Sequence, residues 1–188
     1  CKFSEEQGAS RILGIDLSEK MIAEARKRNA GPGIEYQVCG IGEYEYPADA
    51  WDCVVSNLAL HYVEDLEEVF RKVHRTLKGD GVFLFNIEHP VFTSAGGQDW
   101  IYGEDGQPRH WPVDRYFLPG KRETHFLGCD VLKYHHTLTQ ILMGVLRSGF
   151  ALEAVEEAMP PEEMMDIPGM KDELRRPMML LVKARAVK

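Results

Sequence analysis

The sequence predicts an α/β fold, a doubly wound and mostly parallel sheet, from three observations. Short apolar runs suited to buried strands alternate with segments of helical period through residues 11–90. The runs end in polar residues, at Asp16, Asn57 and Glu88-His89. The segments between them carry the capping residues and glycines that open and close crossover helices. Strand–helix units of this kind build parallel sheets covered on both faces.

The elements follow in order. Residues 1–8 (CKFSEEQG) read as the last turns of a helix closed by a glycine, so the chain starts inside a pattern. Residues 11–16 (RILGID) form an apolar run ending in an acid, as in a buried strand. Ser18 suits an N-cap, and Met21, Ile22 and Ala25 give one apolar helical face up to Asn29. Residues 30–33 (AGPG) stop that helix, and residues 34–39 (IEYQVC) form the next strand. A third strand is expected over residues 52–57 (DCVVSN). After it, Leu66, Val69, Phe70, Val73 and Leu77 mark a helix, with Glu67/Arg71 and Glu68/Lys72 as i,i+4 pairs and Gly79 at its C′ position. Residues 81–87 (GVFLFNI) read as a strand buried on both faces.

The rhythm then breaks. Residues 90–136 hold four prolines and two of the three tryptophans, and neither period persists, which predicts an irregular cap or lid. Regularity returns with Thr137 as cap, Leu138, Ile141, Leu142 and Val145 as one helical face, and Gly149 as terminator. Residues 151–156 and 178–183 read as closing strands.

Composition bounds the function. The 188 residues suit one domain of 1–188, with 90–136 as its substrate-side insertion. The net charge of −8 disfavours nucleic acid and anionic membrane surfaces. No apolar run approaches the roughly 20 residues of a membrane span, and no signal peptide is visible. The four widely spaced cysteines, Cys1, Cys39, Cys53 and Cys129, read as reduced thiols of a cytoplasmic protein.

Ligands of open α/β sheets sit beyond the carboxyl ends of the strands. Asp16 is placed there to accept hydrogen bonds from two ribose hydroxyls, or else to support the helix at Ser18. Gly40-Ile41-Gly42 lets backbone approach a flat ring, or is a plain turn. Asn57 ends its strand in a small polar group, in a site or in a turn.

The stretch GIDLSEKMIAEAR, with WDCVVSNLALHYVEDLEEVFRKVHRTLKGDGVFLFNIEHP after it, resembles the class I S-adenosylmethionine-dependent methyltransferases. The segments HWPVDRYF, KYHHTL, SGF and RRPMMLL resemble the same group more loosely. The resemblance implies a Rossmann-like methyltransferase fold, with a seven-stranded sheet whose last strands are an antiparallel pair. It implies S-adenosyl-L-methionine as cofactor, with Asp16 on the ribose, Ile41 and Gly42 by the adenine, and Asn57 with Leu58 at the methionine part. Leu17 and Gly40 flank those positions. An acidic residue often stands in the family where Ile41 stands here. The family's glycine-rich loop would precede Cys1, so the chain is expected to be an incomplete domain.

Methyl transfer needs alignment and exclusion of water more than it needs a base. His89, after a strand end, is the first candidate for base or acceptor orienter, and His61 the second. Trp100, Tyr102, Trp111 and Tyr116 are candidate walls of an apolar or cationic pocket for a small-molecule substrate. No metal is expected, because adjacent His135 and His136 point apart. Two rivals share the fold: a nicotinamide-dependent oxidoreductase and a non-catalytic cofactor-binding protein. The methyl acceptor and the oligomeric state are not encoded in any motif of the sequence.

Overall fold

The computed structural model describes residues 1–126 and 128–188. The chain divides into two compact units, Cys1–Glu45 and Tyr46–Lys188.

The first unit holds α1 (Lys2–Glu6), β1 (Ile12–Asp16), α2 (Glu19–Arg28) and β2 (Ile34–Val38). β1 and β2 pair in parallel, from Ile12 opposite Ile34 to Asp16 opposite Val38. Ser18 caps α2 as expected, its Oγ accepting from Met21 N at 3.3 Å. The glycine-closed turn at the start is present, with Gly8 at φ +93°.

The second unit is built on a four-stranded sheet in the order β3 (Trp51–Asn57), β4 (Leu77–Glu88), β10 (Met179–Ala186), β9 (Phe150–Ala158). β3 runs parallel to β4, while β10 runs antiparallel to both β4 and β9. The expected antiparallel closing pair is therefore formed. The α/β class holds. Among the described residues six strands serve, hydrogen-bonded as a pair and a four.

Helix α3 (Leu66–Thr76) places Leu66, Val69, Phe70 and Val73 in the core, where Phe70 meets Phe83 and Phe85 at ring distances of 5.9 and 5.6 Å. Two local expectations fail there. Gly79 is not C′ of α3, because Leu77 is already extended and opens β4 opposite Trp51; a register shift between Trp51 and Cys53 absorbs the extra residues. Arg71 pairs with Glu68 at 3.0 Å rather than with Glu67, and Lys72 also reaches Glu68, at 3.6 Å.

Thr137 opens α5 (Leu138–Arg147) with a complete capping box: its Oγ1 accepts from Gln140 N, and Gln140 Oε1 accepts from Thr137 N. Gly144 of α5 lies against Phe70; a Cβ there would stand 3.3 Å from that ring.

Residues 90–136 are more regular than their sequence suggests. They form α4 (Pro90–Thr93), a short hairpin of β5 (Ile101–Tyr102) and β6 (Pro108–His110), and a longer one of β7 (Gly120–Phe126) and β8 (Cys129–His135). The longer hairpin does alternate, but its buried positions are Arg122, Thr124, Lys133 and His135. A strand with polar residues on its buried face shows no apolar period, so pattern reading passes over it.

No disulfide joins the four cysteines. Among the described residues no helix is long and apolar enough to cross a membrane.

Candidate active site

In the first unit the candidates gather where β1 and β2 end. Asp16 is exposed, and its Oδ1 accepts from Ser18 N at 2.7 Å. The two sequence readings of Asp16 are thus compatible: one oxygen braces the helix start, and the other takes no hydrogen bond among the described residues. Leu17 beside it is 72% exposed, a large apolar side chain left in solvent. The Gly40 carbonyl accepts from Glu43 N and Tyr44 N, closing a turn. Neither Gly40 nor Gly42 has positive φ, so backbone conformation does not demand glycine at either place. A Cβ on Gly42 would meet nothing within 4 Å; one on Gly40 would stand 3.4 Å from the Glu43 carboxylate and 3.6 Å from Leu17. An exposed carboxylate to accept from ribose hydroxyls, an exposed aliphatic side chain and a backbone open on one face are surroundings that suit an adenosine, and in that respect the residues fit the nucleoside.

In the second unit the parallel strands β3 and β4 end together. Asn57 Oδ1 accepts from Asn86 Nδ2 at 3.1 Å, and Leu58 N donates to Asn86 O at 2.9 Å. Leu58 has φ +54°, an uncommon conformation for a branched side chain, of the kind that clusters at functional sites. Beneath them Ser56 is buried with no partner for its hydroxyl among the described residues.

The histidines are committed to interior contacts. His89 is 3% exposed and caps α4: its Nδ1 accepts from Val91 N at 3.1 Å, which leaves the proton on Nε2, 2.9 Å from Glu157 Oε1. That approach is close but poorly aligned as a hydrogen bond, since Nε2 is otherwise without a partner. His61 is equally buried, its Nδ1 3.5 Å from Glu88 N and its Nε2 3.8 Å from Glu88 Oε1. Burial pushes the His61 imidazole down to about 4, against the pull of Glu88 and with the help of Lys133. Burial also lowers His89, with Glu157 opposing. Neither ring is placed to take a proton from a substrate without giving up a contact it already makes.

Sequence reasoning missed the group that joins them. Glu88, the last residue of β4, accepts from Lys133 Nζ and from Gln98 Nε2, each at 2.6 Å, and Lys133 donates to Gln98 Oε1 at 2.8 Å. Lys133 is 1% exposed and lies 4.9 Å from the Phe126 ring centre. A lysine in a segment without apolar period carries no sign of burial, so no sequence signal was available for it.

The aromatic candidates separate. Trp100 and Trp111 line a cavity of about 260 Å³ together with Val91, His110, Arg175 and Arg176. Tyr102 does not line it; it is exposed, and its hydroxyl donates to Asp99. Tyr116 does not line it either, because its hydroxyl accepts from Leu138 N and so anchors α5. The cavity is also not cation-seeking. The Arg176 guanidinium already covers Trp111, Phe92 and Trp100, at 4.3, 4.7 and 5.5 Å. The tryptophan faces therefore serve the protein's own cation.

Among the described residues no group of three or more potential ligands could hold a metal ion. His135 turns to Thr93 and Tyr116 O, and His136 to Val63 O.

A sheet with polar residues at its carboxyl ends and a nucleoside-compatible loop defines a nucleotide-cofactor α/β protein. Comparison with known proteins narrows that class. Residues 1–85 match the family model of a methyltransferase domain. An S-adenosylmethionine-dependent methyltransferase of Mesorhizobium loti is 43% identical, with a TM-score of 0.89 over 98% of this chain and 84% of that one. A protein of Listeria monocytogenes assigned to the same methyltransferases is 45% identical, with a TM-score of 0.96 over all of this chain and 85% of that one. An uncharacterised Haemophilus influenzae protein is 29% identical over 97% of this chain and 74% of its own length. The chain belongs to the class I S-adenosylmethionine-dependent methyltransferases; it is an enzyme, its fold is Rossmann-like, and S-adenosyl-L-methionine is its cofactor.

Proposed function

We propose that the chain methylates a small-molecule acceptor admitted beside α4, with residues 90–136 acting as the substrate-side part of a single domain. The observation that carries this reading is the aromatic cavity whose lining residue Val91 follows His89 at the carboxyl end of β4. At about 260 Å³ it has room for a small acceptor or for one end of a larger one.

The cofactor supplies a methyl group already activated on a sulfonium, so the protein's work is binding, alignment and exclusion of water. Asp16 holds the ribose hydroxyls through the oxygen that Ser18 does not use. Leu17, Gly40, Ile41 and Gly42 lie by the adenine, with Glu43 offering the acid that position 41 lacks. Asn57 and Leu58 hold the methionine part, Leu58 through its strained backbone. His89 and His61 act by orientation: His89 fixes the start of α4, and His61 packs against Glu88. Trp100 and Trp111 wall the acceptor side, whereas Tyr102 and Tyr116 support the fold of the same segment.

The test is calorimetric binding of S-adenosylhomocysteine and of NAD, with Asp16→Ala alongside. The nucleoside thioether binds the parent chain and NAD does not. Asp16→Ala weakens binding at least tenfold, as expected for loss of a charge-assisted hydrogen-bond pair. Equal affinity in the variant would remove Asp16 from the site.

A further inference from the structure

The cavity beside α4 has a chemistry that its aromatic walls conceal. Its ionisable lining groups are Arg175, Arg176 and His110, and among the described residues no acid lines it. The acids that hold these arginines lie outside the lining. Glu173 takes both terminal nitrogens of Arg176, at 2.8 and 3.0 Å, and Asp172 takes Arg175 at 2.8 Å. Arg175 is also fixed by carbonyls of β6, donating to Pro108 O and Arg109 O. Two guanidinium groups are thus tied from behind.

Arg176 carries a second signal. It is 93% buried, and its Nε has no acceptor among the described residues, although its terminal nitrogens are satisfied. A buried donor without an acceptor is disfavoured unless a ligand supplies one. Phe92 and Trp111 stack at 4.9 Å with planes 12° apart, and Trp100 meets Trp111 edge-on at 5.4 Å, so the parts of the two indoles that line the cavity beside the guanidinium groups are apolar and held in place.

We propose that this cavity is the subsite for a carboxylate carried on an apolar part of the methyl acceptor. This deepens the methyltransferase reading above, and rests on it for the word acceptor alone. The charge of Arg175 and Arg176 selects an anion, and the apolar indole surface that lines the cavity favours an acid with an apolar body over a bare oxyanion such as phosphate. Because Arg176 Nε is fully covered, its engagement shifts the stacked rings, and tryptophan emission reports the event.

The experiment is a fluorescence titration of the full chain carrying Trp51→Phe, with tryptophan excited selectively, so that the signal comes from Trp100 and Trp111. Benzoate is the probe, with benzamide, benzylamine and inorganic phosphate as comparisons. Benzoate is expected to change emission saturably, benzamide and phosphate to bind at least tenfold more weakly, and benzylamine not to bind. Arg175→Gln, at an exposed position, weakens benzoate at least fivefold. Arg176→Lys keeps the charge and loses the planar fork; it weakens benzoate similarly while circular dichroism shows the fold intact. Equal binding of benzoate and benzamide, phosphate binding as tight as benzoate, or no saturation by benzoate overturns the proposal. S-adenosylhomocysteine affinity is measured on the same samples. Its retention without benzoate binding sinks the subsite alone, and its loss with benzoate binding intact sinks the cofactor assignment alone.

Discussion

At the scale of single residues, the balance of charge at the end of β4 is the dominant fact. Lys133 and Glu88 are both withdrawn from water, and each is tolerable only because the other and Gln98 are within hydrogen-bonding reach. Removing one partner leaves a buried charge without compensation. Lys133→Met is therefore expected to lower unfolding free energy by about 3–5 kcal/mol, measured by urea denaturation. Adding Glu88→Gln to that variant should recover a large part of the loss, which a purely steric defect at position 133 would not allow. The strand-end positions of Asp16, Asn57 and His89 were legible in the sequence, because polarity at the end of an apolar run is a local signal. The Lys133–Glu88–Gln98 group was not, because residues 45 and 35 positions from the lysine meet only through the fold. Arg176 was hidden for the same reason: an arginine beside another arginine in a proline- and methionine-rich stretch does not announce that it will stack on tryptophans 65 and 76 residues earlier.

At the scale of elements, apolar period and capping chemistry agreed with the structure for α3 and α5, each of which buries one apolar side. Burial is less than expected elsewhere: Met21 of α2 is 60% exposed, β1 and β2 hold no buried residue, and β4 alternates, with Leu84 39% exposed, rather than being covered on both faces. The other departures are at boundaries and in polar hairpins. Where α3 meets β4, the expected glycine terminator is bypassed because Leu77 gains more as the first paired residue of the sheet than as a last helical turn. At the same end of the second unit, Gly149 is required as a terminator. It stands at φ +93°, and a Cβ there would come within 2.7 Å of His74 Nε2. The left-handed conformation alone costs a substituted residue roughly 1–2 kcal/mol, and the clash adds to it. Gly149→Ala should therefore lower the melting temperature by several degrees, whereas alanine at the open Gly97 should leave it nearly unchanged. Equal effects at the two positions would remove the argument.

Across the whole molecule, four histidines titrate in one direction. His61, His89, His135 and His136 are all held below the usual imidazole value, in each case chiefly by burial. The unfolded chain therefore binds more protons than the folded chain below about pH 6.5. It follows that stability is fully present above that value and falls as the pH drops toward 4. His61 alone, moved from 6.5 to about 4, accounts for roughly 3 kcal/mol of that loss. Denaturation series between pH 4 and 7.5 should show the decline, and His61→Gln should flatten part of it. A flat profile across this range would mean that the rings are not buried in the neutral form.

The direct passage from Thr76 into Leu77 has one more result. With no linker residue between them, the eleven residues of α3 and the twelve of β4 share one covalent frame. An insertion or deletion at this junction would shift the pairing of β4 against β3 and β10, and with it the placing of Glu88 and His89 at the far end of the strand.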